Sequence, residues 1–337
     1  MAQREGLPPS QGGWTQYRLA YVQFGAKADT IWLAPASNPR EGTALAQVEH
    51  PSGWGIRASL SPDGRWVAYV ALPPETPYPQ KEISRSAEVW VVSTFNGERR
   101  RLAQRADGHL SPIWSSDSAF VAFRSVDEAD QVSIWVASVW EGWAKELGQI
   151  ARASPIGVRG GGATVYLAQG TRLLAMGADG ETREVVNLPV MATYDWSLLP
   201  GGRQAAVTVE DSTGWHVWLI DLEEGSWEEL ALPRGDGPIF RPLASPRGDV
   251  VALGLAPRHG PKGLILADRQ GYLELPAPEK GFYAPLAWSP QGEVLLAAHY
   301  SAYPVQEEPE IAVITREGEV IAAMEGKGMA FLGWVGG

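Results

Sequence analysis

Proton transfer and metal ligation near neutral pH fall first to histidine, and the chain has five: His50, His109, His216, His259 and His299. None stands at ligand spacing from another, and no His-Glu-x-x-His run puts two imidazoles on one helix face. The absence of cysteine removes thiolate nucleophiles, cysteine zinc sites and disulfides together. A serine elbow of the Gly-x-Ser-x-Gly kind is also missing. Gly160-Gly161-Gly162 lacks the lysine and helix of a phosphate loop and reads as a sharp connection between strands. Asp127-Glu128-Ala129-Asp130 and Glu307-Glu308-Pro309-Glu310 have the oxygens that calcium needs, but read as solvated loops. No local motif therefore names a catalytic residue, a metal site or a cofactor. A site would have to be assembled from residues distant in the chain.

The elements able to assemble one are visible as a repeat. Leu60-Ser61-Pro62-Asp63-Gly64 is a tight turn that runs into the aromatic and β-branched stretch Trp66-Val67-Ala68-Tyr69-Val70. Copies begin at Trp288 and Ala244 and, more loosely, at Trp114 and Trp196. The turn starts 60, 114, 196, 244 and 288 are separated by 54, 82, 48 and 44 residues, so the longest gap spans two periods. Each turn is followed by a buried third strand, such as Val89-Trp90-Val91-Val92, Ile134-Trp135-Val136-Ala137 or Val217-Trp218-Leu219-Ile220. A Gly-bearing turn and a short last strand complete each unit. Four antiparallel strands every 40–50 residues or so predict an all-β propeller.

The turn with its flanking tryptophan resembles the Trp-Ser-Pro-Asp-Gly signature of TolB-like and WD-like propeller repeats, with the Ser-Pro-Asp-Gly core complete only at 61–64. The resemblance implies a fold that serves as a stand-alone binding module, as the TolB component of an envelope complex, or beside the hydrolase domain of prolyl-oligopeptidase-like peptidases. It does not choose among them.

Blades are expected at 58–103, 109–148, 150–187, 194–230, 239–275 and 284–323, the one at 150–187 being degenerate. A seventh is split: 14–48 supplies its later strands and 329–335 its first, so the C-terminal strand closes the ring. The whole chain, 1–337, is then one seven-bladed domain. Six blades with an N-terminal extension is the competing count.

The chain carries a formal charge of -11, which argues against nucleic acid or an anionic membrane as partner. Nothing in it approaches a membrane span, and its polar, proline-broken start has no secretory pattern. The expectation is a cytoplasmic monomer, or an extracytoplasmic one if a signal peptide has been removed. Usage of 22 Arg against 6 Lys, with three Asn and no Cys, points to a thermostable protein.

Most of the 15 tryptophans have a packing role. Trp114, Trp196, Trp288 and Trp334 are placed at one position of the inner strand, and Trp32, Trp90, Trp135 and Trp218 at one position of the third. Strand polarity sends the long connections to one face, which makes that face the expected binding side. Three residues before each turn start stand Arg57, Ser111, Thr193, Arg241, Pro285 and Phe331, at the mouth of the channel. The candidate ligand-binding set is Arg57, His109, Thr193, Tyr194, Asp195, Arg241, His299 and Tyr300. Two arginines on separate blades favour a polar or acidic ligand, whether small or displayed by a peptide or protein. The function expected is non-catalytic binding on that face. The alternatives are a lyase or hydrolase whose site takes one residue per blade, or a free-standing relative of the peptidase propeller.

Overall fold

The computed structural model describes residues 13–77, 79–233, 237–256 and 259–336, apart from the side chains of Lys81, Ala192, Thr193 and Tyr194. They form seven four-stranded antiparallel sheets. From inner to outer strand, blade 1 is Met329–Val335, Arg18–Gln23, Ala28–Pro35 and Thr43–Glu49. Blade 2 is Arg57–Leu60, Trp66–Ala71, Ala87–Ser93 and Arg99–Ala106. Blade 3 is Ile113–Trp114, Phe120–Val126, Val132–Ser138 and Ala144–Gln149. Blade 4 is Ser154–Val158, Thr164–Gln169, Arg172–Gly177 and Thr182–Asn187. Blade 5 is Ala192–Leu198, Gln204–Asp211, Gly214–Asp221 and Trp227–Glu229. Blade 6 is Ile239–Ala244, Val251–Leu255, Leu264–Asp268 and Gly271–Glu274. Blade 7 is Phe282–Trp288, Val294–Tyr300, Glu310–Thr315 and Val320–Glu325. The seven-bladed count holds, and the C-terminal strand closes the ring by pairing antiparallel with Arg18–Gln23. Among the described residues no helix is long and apolar enough to cross a membrane.

The hydrophobic core is divided among the blade junctions. Seven apolar clusters are found, each drawing on two neighbouring blades; that between blades 7 and 1 includes Leu19, Leu296, Val313 and Trp334. Middle strands are covered on both faces, which is why Trp66–Ala71 is buried at every residue and reads as a continuous apolar run. Outer strands such as Arg99–Ala106 have only one covered face and alternate with polar residues.

The Ser-Pro-Asp-Gly turn is a hydrogen-bond device. Ser61 Oγ donates to Asp63 Oδ1 at 2.7 Å and accepts from Trp66 N at 3.0 Å, while Arg65 N donates to Asp63 Oδ1 at 3.0 Å. Gly64, at φ +72, completes the turn in a conformation that favours glycine. Ser115, Ser245 and Ser289 are fully buried at the equivalent place. Inner-strand tryptophans clasp neighbouring blades. Trp114, Trp288 and Trp334 donate Nε1–H to the carbonyls of Ser59, Leu243 and Ala287, at 3.2, 3.2 and 3.0 Å, each on the inner strand of the preceding blade.

One inner-strand assignment from the sequence is corrected. Trp114, Trp288 and Trp334 pair with Val121, Leu295 and Leu19, and the residue of blade 5 in that register is Leu198, opposite Ala205. Trp196 sits two residues earlier, opposite Val207. The turn of blade 5 is Leu199-Pro200-Gly201-Gly202, closed by Gly202 N to Leu199 O, so it begins two residues later than the tryptophan suggested. Blade 4 also has a full inner strand, and Arg159 to Gly162 forms its turn. The register positions become 60, 114, 158, 198, 244, 288 and 334, spaced by 54, 44, 40, 46, 44 and 46 residues.

Candidate functional site

Strands run so that blade-to-blade segments and the connections between second and third strands share one face. His50 and His109 lie in the former, His259 in the latter, and His216 and His299 at strand ends beside them. Among the described residues no three His, Asp or Glu side chains are arranged to hold a metal ion.

The register correction changes one of the candidates expected at the channel mouth. Three positions before the turn start now stand Arg57, Ser111, Pro155, Asp195, Arg241, Pro285 and Phe331, so Asp195 replaces Thr193. The side chains of Thr193 and Tyr194 lie outside the described residues. Asp195 and Arg241 are brought together, with Arg241 N donating to Asp195 Oδ2 at 3.3 Å. Arg241 lies in a bulge between Phe240 and Leu243 with φ +44, an uncommon conformation for a side chain with a Cβ. Its side chain, like that of Arg57, is exposed and has no hydrogen bond or ion pair among the described residues.

His299 and Tyr300 are engaged locally. His299 Nε2 is 2.8 Å from Lys280 O, and its Nδ1 is 3.5 Å from Glu310. Tyr300 stacks on buried Phe282, which stacks on Phe240, and Tyr303 meets both phenylalanines edge-on. This aromatic group, invisible as a motif because its members come from three segments, packs the 300–310 connection onto the rim.

His109 belongs to a second group. The carboxylate of Asp107, with a side chain 1% exposed, is gripped by Arg124 through Nε at 2.8 Å and Nη2 at 2.7 Å. The other oxygen accepts from His109 N at 3.0 Å and lies 2.9 Å from His109 Nδ1. An ionised carboxylate can only accept, so Nδ1 carries the proton and Nε2 is the free basic nitrogen of the neutral ring. Ser84 Oγ is 3.2 Å from that same Nδ1. A serine activated by histidine must face the nitrogen opposite the carboxylate, and Ser84 does not, so these three residues are no nucleophilic triad.

A cleft of about 650 Å³ opens beside this group between the inner strands of blades 3, 4 and 5. Arg124, Arg152, Phe123, Ile156, Met191 and Trp196 are among its walls. Sequence reasoning assigned Trp196 to packing and passed over Arg152, because neither the register shift nor the cleft has a local signature.

No protein-family model and no curated protein matches this sequence. The fold is widely shared among solved structures. Oligogalacturonate lyase from Vibrio parahaemolyticus superposes with a TM-score of 0.62 at 13% identity, over 90% of this chain and 92% of that one. The β-propeller domain of the Trilobed protease from Pyrococcus furiosus, described as having an open velcro topology, gives 0.60 at 13% identity over 90% and 98%. TolB from Acinetobacter baumannii gives 0.51 at 14% identity over 93% and 83%. At these identities the likeness is one of fold, and it extends to TolB-like propellers without showing a shared activity.

Proposed function

We propose that the protein is a binding propeller that holds an acidic group, displayed by a protein, a peptide or a small polar ligand, at the channel mouth on its long-connection face. The observation that carries this reading is the pair Arg57 and Arg241. Both stand three residues before the turn start, Arg57 paired with Val70 in blade 2 and Arg241 in the bulge of blade 6, and both are exposed and unpartnered among the described residues. Many other arginines are spent on carboxylates, as in Arg101–Glu88, Arg203–Asp221 and Arg316–Asp249, and some on backbone carbonyls, as in Arg183–Leu222 and Arg247–Gln291. An exposed guanidinium without a partner has its donors open to a carboxylate or phosphate, and the positive φ of Arg241 supports a role for that position beyond packing. The test is a binding screen of acidic peptides and small dicarboxylates against the full chain and its Arg57→Ala/Arg241→Ala double variant. Binding should weaken at least tenfold with melting unchanged, whereas Trp90→Ala should lower stability. Retention of full affinity by the double variant would refute the reading.

A second reading, a lyase or hydrolase, has one support: the imidazole of His109 is oriented by Asp107 through Nδ1, and its Nε2 has no partner among the described residues. Turnover in a lyase and hydrolase screen that disappears in His109→Ala would favour it.

A further inference from the structure

We propose that the cleft between blades 3, 4 and 5 is a separate binding site for an apolar group bearing a single carboxylate, such as the C-terminal residue of a peptide with a hydrophobic side chain. Three observations converge on it. The first is Trp196. Its counterparts at the inner strand, Trp114, Trp288 and Trp334, are buried and spend their indole N–H groups on the preceding blade. The register shift of blade 5 puts Leu198 in the clasping position, and Trp196, half-buried and packed on one side against the core between blades 4 and 5, also lines the cleft and has no hydrogen-bond partner among the described residues. An indole in that state offers a flat apolar face and an unused donor.

The second is the charge balance of the walls. Asp107 is neutralised by Arg124, and Asp130 pairs with Arg85 at 3.0 Å. Arg124 is further committed to Ser154 Oγ at 2.8 Å and Ala153 O at 3.2 Å. Arg152 is left over, exposed and unpaired among the described residues. One uncompensated guanidinium matches one negative charge. A doubly charged phosphate would bring an excess charge close to Asp107 and Asp130, so a monoanionic carboxylate fits better.

The third is the shape and composition of the cleft. Its volume, about 650 Å³, lies in the range of small-ligand sites. Leu110, Ile113, Phe123 and Ile156 make it largely apolar, and Met191, 64% exposed, stands at its edge as an adaptable contact. Two of its wall residues, Asp130 and Arg152, have positive φ values of 59 and 56, so the backbone is held in uncommon conformations where the polar groups are presented.

The site does not depend on Arg57 or Arg241, neither of which lines it. Calorimetry on the full chain with N-acetyl-leucine and N-acetyl-leucinamide tests the carboxylate, and difference fluorescence against Trp196→Phe reports contact with that indole. The acid should bind at least tenfold more tightly than the amide. Arg152→Ala and Trp196→Phe should each weaken the acid by five- to tenfold, with unchanged melting, and Arg57→Ala/Arg241→Ala should leave it unaffected. A hexapeptide ending in a free leucine carboxylate distinguishes the source of the ligand: tighter binding than the single residue identifies a peptide end, equal binding a small molecule. Equal affinity for acid and amide, no binding of either at millimolar concentration, or full affinity in both cleft variants would overturn the proposal. Loss of acid binding in the Arg57/Arg241 variant alone would move the carboxylate to the channel mouth and overturn it as well.

Discussion

Closure of the ring by Met329–Val335 makes Trp334 a sensitive place to perturb the fold. Its side chain is 4% exposed, meets Tyr17 edge-on at 6.1 Å, and donates Nε1–H to Ala287 O at 3.0 Å. Truncating a buried tryptophan to alanine costs about 3–5 kcal/mol. The aromatic pair adds about 0.5–1.5 kcal/mol, and the orphaned carbonyl costs about 1 kcal/mol more. Trp334→Ala should therefore lose about 4.5–7.5 kcal/mol, a large part of the roughly 5–15 kcal/mol that holds a typical domain together. Trp334→Phe keeps most of the apolar contact and gives up the hydrogen bond, for about 1–2 kcal/mol. Equilibrium urea unfolding followed by far-ultraviolet circular dichroism measures both. Trp140→Ala is the control: Trp140 is 54% exposed and keeps one edge-on ring contact, to Trp66 at 5.6 Å, so its loss should cost about 0.5–1.5 kcal/mol. If Trp334→Ala cost no more than Trp140→Ala, the clasp between blades 7 and 1 would contribute nothing, and the account of closure would be wrong.

Deletion of residues 326–337 should uncover Leu19, Ala20, Tyr21 and Val22, all now buried, along a free strand edge. Aggregation or loss of a cooperative melt is expected, and a soluble truncated chain of undiminished stability would contradict it. His216 sits between Glu229 at 2.7 Å and Asp211 at 3.1 Å, and although burial opposes the charged ring, these carboxylates raise its pKa above 6.5. Asp211, bonded by the Thr213 hydroxyl and amide, is held at about 2. The histidine's contribution is complete below about pH 6.5 and fades as pH rises through its raised value. The aspartate's is complete above about pH 4 and fades as pH falls toward 2. Proton NMR titration should place His216 above 6.5 and return it toward that value in Glu229→Gln. The arginine-rich, cysteine-free composition leads to a melting midpoint above about 65 °C by calorimetry, and a lower one would refute that expectation.

The architecture is legible in the chain alone, because a propeller is specified locally and repeatedly. The Ser-Pro-Asp-Gly turn and its Ser-Ser-Asp copy carry their own hydrogen bonds, the middle strands hold apolar runs, unbroken in Trp66–Ala71, and the period tells neighbouring sheets where to pack. Even the closing strand was legible, since 329–335 supplies the one inner strand missing from the N-terminal blade. Position within the repeat was less secure. Trp196 looked like Trp288 because both precede a Ser, but pairing is decided by backbone hydrogen bonds to the next strand, and those put Leu198 in register. That two-residue difference leaves Trp196 packed against the core between blades 4 and 5 but also makes it a wall of the cleft, and it puts Asp195 rather than Thr193 three residues before the turn. Charge pairing was likewise undecided in the sequence. Arg124 and Asp107 are 17 residues apart and bonded, while Arg57, Arg152 and Arg241 have no partner among the described residues. Only the tertiary structure separates the two kinds of arginine, because a guanidinium is satisfied by what lies within about 3 Å of it in space, and the ring brings together residues that the chain keeps a blade or more apart.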